Sequence, residues 1–257
     1  MTALPEHLPL VDAHCHLDEN DLLLEILKNQ QIPSIINCQT VDEYRKNRQK
    51  TKYLPFLHLS AGIHPWDAAV VSWEEMLPIL AEAMIIGEIG MDSLWTDVAL
   101  PIQEDVFRKQ LDYASHAQKP VILHTKNQEQ HIAEIIRDYP NRYLVHWYSA
   151  DDFLTEFIDL DCYFTIGPSL HTDSAVRQVA ETVPVNRLLM ESDGLSAISW
   201  ATGQQKTVTP QQYLSLQTDN LVKLSRLRQM EPLLLAEHMR SNLNHFISAN
   251  HDKDAAD

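Results

Sequence analysis

The sequence predicts an α/β fold of the (β/α)8 type, a single barrel with its active site at the C-terminal ends of the strands. Three observations predict it. Eight short apolar or β-branched runs alternate with helical patterns along the whole chain. The 257 residues match the roughly 250 that one such barrel needs. An open doubly wound sheet is the competing arrangement, but the chain has only six glycines and no Gly-x-Gly-x-x-Gly phosphate cradle.

The eight runs are Pro9–His14, Ser34–Gln39, Phe56–His64, Met84–Gly90, Pro120–Thr125, Tyr143–Trp147, Cys162–Gly167 and Arg187–Asp193. Several are apolar on successive residues, as parallel strands covered on both faces require. They begin roughly 19 to 36 residues apart, room for a strand, a loop and a helix per unit. Helical stripes lie between them: Leu22, Leu23, Ile26 and Leu27; Phe107, Leu111 and Ala114; Ile132, Ile135 and Ile136. After the last run, Gln211 to Met230 and Pro232 to Ile247 read as closing helices, striped by Tyr213, Leu214, Leu224, Leu235, Met239, Leu243 and Phe246. No repeat, low-complexity tract or linker divides the chain. Residues 1–257 are therefore assigned to one domain, with a frayed polar tail from His251 to Asp257.

Composition narrows the function. The chain is 44% hydrophobic, ample for a large core, and carries a net charge of −16 from 20 basic and 36 acidic residues. So acidic a surface argues against a broad grip on duplex nucleic acid, although bound cations can still dominate the charge of one cleft. Cys15, Cys38 and Cys162 lie in strand-like runs and read as reduced and buried. Met1 to Glu6 has neither a basic nor an apolar leader region, and no apolar run reaches the ~18–20 residues of a membrane span. A soluble cytoplasmic protein is expected, with no membrane partner; the oligomeric state is not legible.

The chemistry collects where strands end. His14 and His16, spaced i, i+2, point to one side at the end of the first run. Glu88 interrupts Ile86-Gly87-Glu88-Ile89-Gly90, His124 follows Val121-Ile122-Leu123, His146 follows Tyr143-Leu144-Val145, and Asp193 closes the eighth run. Each has a bland reading alone: a buried acid paired with arginine, a satisfied core histidine, a helix cap. A charge inside an apolar strand is costly unless paired or metal-bound. Six ligand-type residues at one end of a barrel therefore point to a metal centre. Four imidazoles and two carboxylates without a thiolate suit Zn²⁺, Mn²⁺, Co²⁺ or Mg²⁺ and exclude a structural cysteine site. Six ligands exceed the need of one catalytic ion, so two divalent ions bridged by Glu88 are expected, with hydrolysis by an activated water. Asp193 both ligates and takes the water's proton.

These motifs resemble the TatD family of metal-dependent hydrolases, within the amidohydrolase superfamily. The resemblance is carried by Asp12-Ala13-His14-Cys15-His16-Leu17-Asp18, Gly62-Ile63-His64-Pro65, Gly87-Glu88-Ile89-Gly90-Met91-Asp92, Pro120 to Lys126, His146-Trp147-Tyr148-Ser149, Glu191-Ser192-Asp193-Gly194, and Asn242 with Phe246. They stand in family order over nearly the whole chain. The resemblance implies a TIM-like barrel, one or two divalent ions, and a deoxyribonuclease acting on single-stranded DNA ends. It carries the metal ligands over to His14, His16, Glu88, His124, His146 and Asp193. It puts His64 near the substrate phosphate, and Lys126, Tyr148 and Ser149 are expected at the substrate as well. Three departures stand out. Lys126 replaces a common arginine and loses its bidentate fork. Ala150 replaces a common glycine. The segment Leu195 to Thr209 lacks the usual basic run, with only Lys206 corresponding.

Two other classes compete. A C–N hydrolase of the same superfamily shares the two-histidine start and final aspartate, but a cyclic amidase bridges its ions with a carboxylated lysine where this chain has Glu88. A non-catalytic metal-binding regulatory protein has no need of six ligands. For nucleic acid, the basic cluster Arg45, Lys46, Arg48, Lys50 and Lys52 reads as a solvated helix end. Trp66, Trp95, Trp147 and Tyr148 are aromatics near the mouth, able to stack on bases. A strand end or small phosphodiester is expected as the substrate, without stable duplex binding.

Overall fold

The computed structural model describes residues 8–248 except 205 and 207, so the expected frayed tail lies outside the described residues. Eight parallel strands follow one another around the sheet in chain order: β1 (Asp12–Cys15), β2 (Ser34–Cys38), β3 (Leu57–Ala61), β4 (Ile85–Asp92), β5 (Val121–Lys126), β6 (Tyr143–Val145), β7 (Tyr163–Ile166) and β8 (Leu188–Met190). The helices outside them are α1 (Leu22–Gln30), α2 (Val41–Thr51), α3 (Trp73–Glu82), α4 (Leu100–His116), α5 (Glu129–Ile136), α6 (Leu154–Asp159), α7 (Ser174–Thr182), α8 (Leu195–Thr202), α9 (Pro210–Leu227) and α10 (Pro232–Ile247). Nearly every strand residue is buried, which is why the sequence shows continuous apolar runs rather than alternation.

The barrel is nearly closed. Seven ladders join β1 through β8. Across the eighth seam, the Asp193 N–H donates to the His14 carbonyl at 3.0 Å. Asp12 reinforces it: its carboxylate accepts from the Ser192 N–H at 2.9 Å, the Ser192 hydroxyl at 2.6 Å and the Tyr213 phenol of α9 at 2.9 Å. The seam that closes the barrel thus also carries two expected ligands.

The outer helices hold the strand ends through buried polar side chains. On α4, the Gln110 amide accepts from Ile63 N–H at 2.6 Å and donates to its carbonyl at 3.0 Å. One heptad earlier, Gln103 accepts from Asp92 N–H at 2.8 Å and donates to its carbonyl at 2.9 Å. Asn242 on α10 donates to the Val185 and Leu188 carbonyls at 2.9 and 2.8 Å, fixing the start of β8. Within β4, Gly90 has φ +154°, and a Cβ there would lie 2.0 Å from the His124 carbonyl oxygen. Only glycine lets β4 press this closely on β5.

Candidate metal centre and active site

All six expected ligands meet at the C-terminal mouth of the barrel, around Glu88. The Glu88 carboxylate divides its oxygens between two donor groups. Oε2 faces His14 Nε2 at 3.4 Å and His16 Nε2 at 3.6 Å, and Asp193 Oδ1 stands 3.4 and 3.6 Å from the same two nitrogens. Oε1 faces His124 Nδ1 at 2.5 Å, His146 Nε2 at 2.7 Å and His64 Nε2 at 3.5 Å.

The first group fits an ion. Donor atoms ~2.1 Å from a tetrahedral ion stand about 3.4 Å from one another, close to the observed spacing. His14 and His146 are buried, yet their ring nitrogens, though close to the Glu88, Asp193 and Glu191 carboxylates, make no hydrogen bond of good geometry. Buried polar groups are nearly always paired, so such orphans mark atoms that serve something else. The second group is drawn tighter than ligand spacing and must open by under ~1 Å to admit an ion. There, His124 Nε2 is engaged by Asp92 Oδ2 at 2.9 Å. If Nε2 carries the proton for that bond, the Nδ1 lone pair faces a carboxylate oxygen, a repulsion that a cation relieves.

The electrostatics agree. Burial raises the Glu88 carboxyl, but His146, His64 and His124 outweigh it and hold it well below its ordinary range. Burial disfavours charge on His14, yet Asp193 and Glu88 draw its pKa well upward; His146 rises to about 9 despite burial because Glu88 faces it. These carboxylates demand positive charge, and divalent ions supply it more compactly than imidazolium.

The mouth opens into a cavity of about 580 Å³. Lys126 and Ser149 line it beside His64, with the Lys126 ammonium donating to the Trp147 carbonyl at 2.7 Å and to Ser149 Oγ at 3.0 Å. Burial lowers the Lys126 pKa, tempered by Glu191 and other carboxylates. The expectation for Tyr148 is corrected. It is 1% exposed, packs edge-on against Phe157 and Phe164, and donates its phenol to the Asp152 carbonyl. The residue before it, Trp147, has φ +35°. The segment after Asp193 opens with α8; Lys206 is exposed beyond it.

Three contributors escaped the sequence. Asp92 holds His124, and Glu191 Oε2 lies 3.5 Å from His146 Nδ1, so His124 and His146 each have a carboxylate behind them. Such partners fix the tautomer and orientation of a ligating ring. Both acids follow apolar strand residues, a signal the sequence offers. Trp200, brought over the cavity by α8, had none.

A family model described as TatD related DNase matches residues 11–248. The chain belongs to the TatD family. Among the relatives, an uncharacterized metal-dependent hydrolase of Methanocaldococcus jannaschii is 28% identical over 221 residues, covering 77% of this chain and 84% of that one. Another, of Buchnera aphidicola, is 25% identical over 215 residues, covering 72% and 80%. The crystal structure of the TatD homolog YjjV from Escherichia coli superposes with a TM-score of 0.76 at 20% identity, over 93% of this chain and 97% of that one. That likeness shows the barrel. The TatD assignment and the donor groups together make this chain a metal-dependent hydrolase.

Proposed function

We propose that this TatD-family hydrolase cleaves phosphodiester bonds at the ends of single-stranded DNA or in small phosphodiesters, using two divalent ions that share Glu88. The carrying observation is the division of the Glu88 oxygens between two histidine groups, with a lysine ammonium beside them. His14, His16, Glu88 and Asp193 would hold one ion, and Glu88, His124 and His146 the other. When bound, such ions lower the pKa of a shared water and offset the charge gathering on a phosphate.

The chain supplies the rest. Asp193 retains partial exposure at the mouth, and its carboxylate is low in pKa: burial opposes ionisation, but His14, His146 and His16 prevail. It is the base that accepts the water's proton. Lys126 presents one positive point charge to a phosphate oxygen, and Ser149 can donate to the same group. His64, whose pKa burial lowers, offers a neutral ring beside the second group, Asp92 holds the His124 ring, and Glu191 faces that of His146. A carboxylated-lysine bridge has no place here: β4 offers Glu88, and the Lys126 ammonium on β5 is engaged by Trp147 and Ser149.

The test is a single-stranded oligonucleotide labelled at either end, with metal-stripped protein resupplied with Mg²⁺, Mn²⁺, Co²⁺ or Zn²⁺. Metal-dependent shortening is expected, abolished in Glu88→Ala, and the label pattern gives the polarity. Protein that binds ions yet cleaves neither this strand nor a small aryl phosphodiester defeats the reading.

A further inference from the structure

Four of the chain's five tryptophans line the cavity above the donor groups. Trp66 is committed to the centre: its indole N–H donates to Asp92 Oδ2 at 2.6 Å, and its ring stands edge-on to His64. The other three form a separate corner. Trp147, immediately after the ligand His146, is fixed by its indole N–H to Ser169 Oγ at 2.9 Å. It rests over Gly167, where a Cβ would come within 3.1 Å of the indole. Trp200 meets Trp147 at 5.9 Å and 69°, and Trp95 at 6.3 Å and 89°.

Trp95 and Trp200 are 57% and 68% exposed, so large apolar faces stay open beside a reaction centre. Clustered exposed apolar area of this kind marks a binding surface. The cavity has little to hold a long polyanion: its lining carries Lys126, no arginine, and Asp173. Anchoring along several phosphates needs one cation for each.

We propose that Trp95, Trp147 and Trp200 form an aromatic subsite that takes one planar heteroaromatic ring, a nucleobase, carried by a substrate whose single engaged phosphate lies toward Lys126. The second anchor rests on the phosphodiester reading above; the ring subsite does not. Trp147, 8% exposed, backs the corner, while Trp95 and Trp200 keep open indole surface on which a ring can stack, and base–aromatic stacking tolerates any base because each has a π-face. Recognition then depends on one ring and one phosphate, which suits a strand end or a dinucleotide over the middle of a strand. α8 delivers Trp200 in the segment that lacks the basic run, so stacking stands where phosphate contacts are missing.

Calorimetric titration of the full chain, metal-loaded and metal-stripped, with AMP and with ribose 5-phosphate tests the subsite without turnover. AMP is expected to bind about tenfold or more tightly than the baseless sugar phosphate and to quench tryptophan emission. Trp200→Ala, at an exposed position, should bring AMP down to the ribose 5-phosphate level without weakening ribose 5-phosphate; Trp200→Phe should restore most of the difference. Equal affinity for the two ligands, or an unchanged AMP affinity in Trp200→Ala, overturns the subsite. Stacking with the expected variant pattern upholds it even if no phosphodiester is hydrolysed, an outcome that removes only the proposed activity.

Discussion

Glu88 and Asp193 both carry negative charge into the same group of imidazoles, but their burial separates their roles. Glu88 is buried at the centre and reaches both donor groups, whereas Asp193 keeps about a fifth of its side chain exposed, so solvent can carry off a proton it accepts. Asp193→Asn keeps an oxygen for the first group and loses the base. It should retain at least one ion while turnover falls by about 10²–10⁴; metal content and rate measured on one preparation check this, and near-normal turnover removes Asp193 as the base. At this scale the ligands were legible because each places a charge or an imidazole where an apolar strand ends. Asp92 and Glu191 were less so, because their effect runs through His124 and His146, and that relation exists only once β4, β5, β6 and β8 are assembled.

Among the elements, strands were the most readable, since covered parallel strands are apolar on both faces. Their ends were not: β6 stops at Val145 and β8 at Met190, short of His146 and Asp193, whose N–H groups still donate across the sheet to the Leu123 and His14 carbonyls. Gln103 and Gln110 put polar groups on a buried face of α4, against the amphipathic rule, because the strand ends they hold have backbone groups to satisfy. α8 depends on Gly194 at φ +91° and on Gly203 ending it, and the sequence around it gave no stripe. Two predictions belong here. Gly90→Ala drives a Cβ into the His124 carbonyl, so it should lower stability by ~3 kcal/mol or more and impair metal retention; denaturant melts and metal content check both. Asp18 accepts from Leu22 N–H at 3.0 Å and Leu23 N–H at 2.8 Å, opening α1 where Asp21 gives no side-chain cap. Burial opposes its ionisation, but these N–H groups prevail and lower its pKa, so its stabilisation is present above the ordinary carboxylate range and is lost as pH falls through the lowered value. Asp18→Ala should cost about 1 kcal/mol at pH 7 and progressively less as pH falls below the ordinary carboxylate range, read from urea melts.

Across the whole molecule, the barrel gathers acids and imidazoles from five strands into one enclosure, and among the described residues no helix is long and apolar enough to cross a membrane. The residues closing the β8–β1 seam adjoin the first donor group, so filling that group should also stabilise the fold. Each ion at a hundredfold excess over its Kd contributes ~2.7 kcal/mol. At about 2–4 °C per kcal/mol for a chain of this size, chelation should lower Tm by ~5–10 °C per ion lost, as calorimetry can read. An unchanged Tm on chelation would mean the donor groups hold no ion. The most direct measurement follows hydrolysis of the end-labelled strand as metal is added stepwise to stripped wild-type protein and to Glu88→Ala. Two ions sharing Glu88 predict a rate that appears with the second equivalent in the wild type and is absent from the variant at every equivalent. A Glu88→Ala protein that retains two ions and cleaves at the wild-type rate would contradict it.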